Sequence, residues 1–274
     1  MVLPFDLYAA GVLAPGIGSL AELFALRRNG LAGADASAAL ELPSPQALPA
    51  NERRRASQVV RLTLACAEQA LRTSPFPADA LRMVFASDEG TGEVCQQILE
   101  TLATTRQVSP LLFHNSVHNA PSGYFSIAYQ NRQSATSVSL GQESFASGLL
   151  CAASEACVSG QPVLLLAYDP AMTEPLDSLL PVTWPTASAW IIGSGLAPAS
   201  GQAALASFEL SLRPAIAPDP ALPAWLPAAW AANSSAQSLV VLSLLDDVQD
   251  RRACELRLGA QRLRIERVNG VAAC

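Results

Sequence analysis

Lysine is absent from this chain of 274 residues. All 17 basic residues are arginines, against 23 acidic ones, and histidine occurs twice, as His114 and His118. Without lysine there is no Schiff-base aldolase, no pyridoxal-phosphate lysine and no phosphate-loop lysine. Two histidines do not build a three-histidine zinc site. A net charge of −6 with few cations argues against nucleic-acid binding, which needs a basic face to neutralise phosphates. The six cysteines (66, 95, 151, 157, 254 and 274) show no CxxC spacing, so a metal cluster is not expected. In a reducing compartment such thiols act as small buried hydrophobes. No run of about 18 strongly apolar residues suggests a membrane span. The apolar stretch Met1–Leu13 lacks a basic flank and contains Asp6, so it does not read as a signal peptide. The expectation is a soluble cytoplasmic protein. Half of the residues are hydrophobic, enough for a sizeable core, which excludes global disorder.

Local patterns predict an α/β order. Leu3 to Val12 reads as a strand, ended by the Pro15-Gly16-Ile17-Gly18 turn, and Ser19 caps a helix through Arg28. Gly30 to Pro49 is a proline-rich connection. Asn51 to Thr73 reads as one helix with Asn51 as N-cap and a very basic first turn, Arg53-Arg54-Arg55. Leu81 to Ser87 and Pro162 to Tyr168 are continuous apolar runs, as in strands buried on both faces. Thr91 to Thr105 reads as a helix, and Ser109 to Asn131 as short helices broken at Pro121 and Gly123. Thr136 to Leu140 reads as a strand. Ser144 to Ser159 is a helix of small residues suited to a middle layer between others. Further strands are expected at Ala187–Gly193, Ala204–Leu212, Leu239–Leu245, Cys254–Leu258 and Arg262–Val268, the last two as a hairpin. Pro214 to Pro227 is proline-rich, and a short helix carrying Trp225 and Trp230 is expected.

The stretch from Ser137 through Leu140-Gly141-Gln142-Glu143-Ser144-Phe145-Ala146-Ser147-Gly148-Leu149, followed by Gly160 and the strand Val163–Ala167, resembles the nucleophile region of β-ketoacyl synthases of the thiolase superfamily. There a strand enters a sharp turn bearing a cysteine, and a long helix of small residues follows. The segment Asn115 to Ala128 is similar to the family's segment before that strand, and Ala187–Gly193 to the first strand of its second half. The resemblance is closest to short chain-length factors of aryl polyene and xanthomonadin-type pathways. It implies a layered αβαβα sandwich, with residues 1–200 as a complete first half and 201–274 as a reduced, strand-rich second half, together one unit. The outer helical layer of the second half would be missing, leaving an apolar face for a partner.

The departures from the family pattern carry the functional expectation. Phe145 falls at the nucleophile position, and slipping the register offers Ser144 or Glu143 but no cysteine. No histidine follows Ser144, whereas active ketosynthases carry two in their second half. The resemblance therefore implies a non-catalytic subunit that pairs with an active, full-length β-ketoacyl synthase in polyene or polyketide chain synthesis. Pairing would use the strand Thr136, Val138 and Leu140. The acyl-tunnel or dimer wall would include Phe145, Glu143 and Ser144 as well. No cofactor is expected on the chain itself; the growing chain would ride on the phosphopantetheine of an acyl carrier protein. Two other readings stand beside it. One is an acyltransferase or hydrolase on acyl thioesters with Ser144 or Cys151 as displaced nucleophile and His118 as base. The other is a homodimeric scaffold.

Other candidates have ordinary readings. His114 and His118 have zinc-pair spacing, or belong to a polar cluster with Asn115, Ser116 and Asn119. Cys151 and Cys157 read as inert thiols within an apolar helix. Asp88 and Glu89 precede a helix and complement its dipole. Arg53, Arg54 and Arg55 either dock an acidic carrier protein or form a solvated face, although a helix start is an unfavourable place for three cations. Trp184, Trp190, Trp225 and Trp230 read as core and interface.

Overall fold

The structure is a computed structural model that describes residues 2–30, 40–88, 90–215, 222–246 and 252–269. Glu89 and Cys274 lie outside these residues, as do parts of the two proline-rich connections. The apolar runs form strands: β1 (Val2–Leu13), β2 (Arg82–Ala86), β3 (Ala135–Val138), β4 (Val163–Asp169), β5 (Thr186–Gly193), β6 (Ala206–Pro214), β7 (Ala253–Leu258) and β8 (Gln261–Val268). They join in one mixed sheet of order β3-β2-β4-β5-β1-β6-β8-β7. β3, β2 and β4 run parallel, and the remaining pairings are antiparallel. Every residue of β4 and β5 is buried, which is why these strands are apolar without alternation.

The helices are α1 (Leu20–Asn29), α2 (Ala50–Arg55), α3 (Gln58–Arg72), α4 (Gly92–Thr104), α5 (Pro110–Asn115), α6 (Ala120–Tyr129), α7 (Ser144–Ser159) and α8 (Gln237–Leu242). α3 and α6 cover one face of the sheet, over Phe85, Leu164, Leu166 and Ile191. α7 covers the other, over Val84, Ala86, Leu165 and Trp190. It also touches β7, so the sheet curls around it and α7 lies between layers. Missing side chains allow both close approaches. A Cβ on Gly148 of α7 would lie 2.5 Å from the Ala86 Cβ, and one on Gly11 would lie 2.5 Å from the Cys66 carbonyl of α3. Among the described residues no helix is long and apolar enough to cross a membrane.

Several expectations are corrected. The helix expected over 51–73 is two, broken at Ala56-Ser57, where Ala56 is extended. Arg53, Arg54 and Arg55 therefore occupy the last turn of α2 rather than a first turn, where the dipole favours cations. The break expected at Pro121 and Gly123 falls at Ser116–Asn119, and both residues lie in α6, Pro121 in its first turn where its missing N–H costs nothing. Leu239–Leu245 is not a strand: α8 and a 3-10 turn (Ser243–Leu245) occupy it, entered through Asn233, whose side chain accepts from the Ala236 N–H. A short apolar run does not distinguish a buried helix from a strand. The 3-10 turn Ala228–Trp230 carries Trp230 but not Trp225.

The outer face of the second half is also not apolar. Among the described residues of β6, β8 and β7, those facing away from the core are mainly polar, including Ser207, Glu209, Ser211, Arg264, Glu266, Glu255 and Arg257, with Ala253 and Val268 as the apolar members. β3 ends at Val138, so Leu140 lies beyond it. Trp190 and Trp230 are buried in the core, and Trp184 and Trp225 pack against it. Cys157 is disulfide-bonded, which corrects its reading as an inert thiol.

Candidate functional site

In parallel α/β layers the crevice outside the carboxyl ends of the strands gathers loops into sites. Here those ends are Ala86, Val138 and Asp169. The loop after β2 meets the loop after β3: the Ser87 N–H donates to the Val138 carbonyl at 3.1 Å, and Ser139 Oγ to the Asp88 carbonyl at 3.4 Å. His118 reaches the same rim, with Nε2 3.4 Å from the Ser87 carbonyl. Its ring fills the space where a Cβ on Gly90 would stand, and Gly90 has φ +55°, so this turn requires glycine on both counts.

Asp169 closes the end of β4 and is fully buried. Oδ1 accepts from Ser87 Oγ at 2.9 Å and from the Asp88 N–H at 2.8 Å; Oδ2 accepts from the Ser235 N–H at 2.8 Å. The same carboxylate thus joins β4, the loop after β2 and the segment 233–235. That segment is itself fixed. Ser235 Oγ donates to the Thr186 carbonyl at 3.0 Å and Asn233 Nδ2 to the Trp184 carbonyl at 2.9 Å.

The turn into α7 is occupied from within the chain. Phe145 has no exposed surface, and its ring lies 5.8 Å from that of Trp190. Its N–H, at the helix start, donates to Ser234 Oγ at 3.0 Å. Ser144 Oγ donates to the Gly141 carbonyl at 2.7 Å and accepts from the Leu140 N–H at 2.8 Å. Glu143 receives Arg257 Nε at 3.0 Å on one oxygen and the Gly259 N–H at 2.7 Å on the other. Gln142 donates to the Ala232 carbonyl, and Gln237 donates to the Gln142 carbonyl. The Phe145 N–H, a donor that would steady a developing oxyanion at this helix start, is taken by Ser234, and the Gln142 amide is taken by the Ala232 carbonyl.

The displaced-nucleophile set does not assemble. Among the described residues neither Ser144 nor Cys151 is hydrogen-bonded to His118. Cys151 lies seven residues beyond Ser144 on α7, about 10 Å along the helix. Burial first, and then the Glu155 charge, push its thiol up, away from the thiolate that nucleophilic attack needs. The two histidines also separate. His114 packs edge-on against Tyr124 at 6.0 Å, whereas His118 faces Ser87.

Arg53 turns inward, donating to the Gln46 side chain at 2.7 Å and the Leu48 carbonyl at 2.9 Å. Arg54 and Arg55 are exposed and contact Asn51 and Glu52. Burial alone raises the Asp88 carboxyl above its ordinary value, so its charge opposes folding. Asp88→Asn raises the melting temperature at neutral pH. The gain disappears in acid below the ordinary carboxylate range, where the native carboxyl is protonated in both states. Paired thermal melts across pH check this; a gain that persists in acid refutes it.

A surface of different character adjoins this rim. An apolar groove of about 540 Å³ lies between α5 and α6, lined by Phe113, His114, Val117, Tyr124 and Ile127 among others. Phe113 is 68% exposed, and Leu111, Val117, Ile127 and Leu140 are also open to solvent. Strand β3 forms the edge of the sheet, with Ala135, Thr136 and Ser137 exposed.

These features define a layered α/β scaffold whose turn into α7 is filled by its own side chains. The model of the β-ketoacyl synthase N-terminal domain matches residues 30–252, and the chain belongs to that family. A ketosynthase, ApeO, in complex with its chain length factor, ApeC, from Xenorhabdus doucetiae matches at 25% identity and TM-score 0.72, over 97% of this chain and 100% of that one. The ishigamide ketosynthase/chain length factor matches at 14% and 0.70, over 97% and 99%. A β-ketoacyl synthase from Burkholderia phymatum STM815 matches at 12% and 0.67, over 97% and 99%; these last two likenesses concern the fold alone. A search of curated proteins finds no match.

Proposed function

We propose that this chain is a non-catalytic subunit of chain-length-factor type. It pairs with an active β-ketoacyl synthase and bounds the acyl tunnel during polyene or polyketide synthesis. The observation that carries this reading is Phe145: a fully buried phenyl ring with its N–H held by Ser234, at the position that the resemblance aligns with the family's nucleophile. A ring offers no nucleophile, and the nearby hydroxyl of Ser144 is bound into its own turn. The open edge of β3 and the exposed apolar residues of α5, α6 and Leu140 support pairing, since a monomer seldom leaves such surfaces together. The likeness to a ketosynthase–chain length factor complex supports the same reading, as does a neighbour described as a ketosynthase with an acyl carrier protein. Phosphopantetheine-borne chains on a carrier protein are then the material handled, and exposed Arg54 and Arg55 are the remaining carrier-docking residues of the triplet.

Co-expression with an active β-ketoacyl synthase from the same organism tests this. The two should purify as a heterodimer, and the ketosynthase alone should lose elongation or chain-length control. If they purify separately and the ketosynthase elongates normally alone, the reading fails; light scattering that finds only dimers of this chain then supports the scaffold.

A further inference from the structure

Cys157 stands near the carboxyl end of α7 and is disulfide-bonded, whereas Cys66, Cys95, Cys151 and Cys254 are free thiols. Cys157 is half-buried, and Val158 beside it is 90% exposed, so this end of the bridge lies near the surface. Solvent-open disulfides are the readily reduced ones, while those sealed in a core resist reduction. The bridge has a structural task here. Glu155, two residues earlier, receives Arg82 Nε at 2.6 Å and Ser134 Oγ at 2.9 Å on its carboxylate. Arg82 opens β2, and Ser134 precedes β3 and accepts the Met83 N–H at 2.9 Å. The helix stops at Gly160, with φ +61°, whose N–H donates to the Ala156 carbonyl at 3.1 Å. Cys157 lies between these two features. A covalent hold on it therefore stiffens the turn from which Glu155 ties β2 and the approach to β3. Internal exchange is also disfavoured. Cys66 and Cys254 are buried. Burial, and then the Glu155 charge, push the Cys151 thiol up, away from the thiolate that attacks a disulfide.

We infer that the Cys157 disulfide is a redox-sensitive clamp on the carboxyl end of α7, opened by a dithiol. One thiolate of the dithiol attacks a sulfur of the bridge, and a cysteine thiolate leaves. The second thiol of the reductant then attacks the mixed disulfide and releases the other cysteine. The bridge takes up two electrons and two protons as two thiols, and the reductant becomes a disulfide. The inference concerns the isolated chain and does not rest on the proposed pairing.

Thiol titration, thermal melts and amide exchange of the full chain, with and without dithiothreitol, test it. One bridge takes two of the six cysteines. The denatured chain should therefore titrate four thiols before reduction, and six after the native chain has been exposed to dithiothreitol. Reduction lowers the melting temperature by about 5–10 °C, the scale of a lost disulfide in a chain of this size. Cys157→Ser and Cys157→Ala melt at the reduced value and do not respond to dithiothreitol. Amide exchange on reduction speeds up at residues 155–160 and at Met83 but not in α3. Six thiols before reduction overturn the inference, as do four after native-state exposure. So does an unchanged melting temperature on reduction, a response retained by both variants, or exchange that rises uniformly.

Discussion

Asp169→Ala lowers the stability of this protein by about 3–5 kcal/mol, since it strands several buried donors at about 1–3 kcal/mol each. The carboxylate is fully buried, and its loss strands the Ser87 hydroxyl and the Asp88 and Ser235 N–H groups without acceptors. Unpaired buried donors are the larger part of the penalty. The consequence is also local: the 233–235 segment loses its tie to β4, so the bond from Phe145 to Ser234 loosens with it. Asp169→Asn keeps the shape and one acceptor oxygen but turns an amide N–H₂ toward a donor, so an intermediate loss is expected. Denaturant melts measure both, and the native chain and the alanine variant should differ by roughly 10 °C in thermal midpoint. A loss below about 1 kcal/mol for the alanine variant would show that the network is not continuous.

Phe145 gives the second large effect. Phe145→Ala should cost about 3–5 kcal/mol, because a fully buried ring against Trp190 leaves a cavity that the close-packed start of α7 does not fill. Phe145→Cys separates chemistry from packing. Under the proposed alignment it supplies the family's nucleophile type, yet the helix-start N–H is already spent on Ser234 and no histidine follows in the chain. Burial would hold such a thiol protonated, as burial pushes the thiol of Cys66 far up. The variant should therefore take no acyl group from a carrier-bound thioester, by intact mass spectrometry. Stoichiometric acylation would contradict the occluded turn.

Much of the scaffold was legible because the signals were local. Val163 to Ala167 is apolar without alternation, Ser144 to Ser159 is a run of small residues with helical termini, and Ser19 caps α1 through the Glu22 N–H. The resemblance around Phe145 located the turn. What stayed hidden depended on tertiary contact. Asp169 ends an apolar strand before a proline and reads as an ordinary stop signal; only the fold brings Ser87 and Ser235 to it. Asn233-Ser234-Ser235 interrupts a stretch of alanine, tryptophan and leucine. That polar trio was the available signal, but its role depends on contacts with residues 49 to 89 positions away. The triple arginine was misplaced because one extended residue, Ala56, turned a helix start into a helix end.

The four-residue length of β3 limits any partner that adds a strand there. About four ladder hydrogen bonds are available along such an edge, each contributing about 1 kcal/mol net, whereas micromolar association needs about 8 kcal/mol in total. Backbone pairing alone would leave the two chains in rapid exchange, and it would read no side chains. In the proposed pairing, discrimination between partners would therefore belong to Phe113 of α5, Ile127 of α6 and Val117 between them, while β3 would act as a ruler that fixes the offset at which two chains meet.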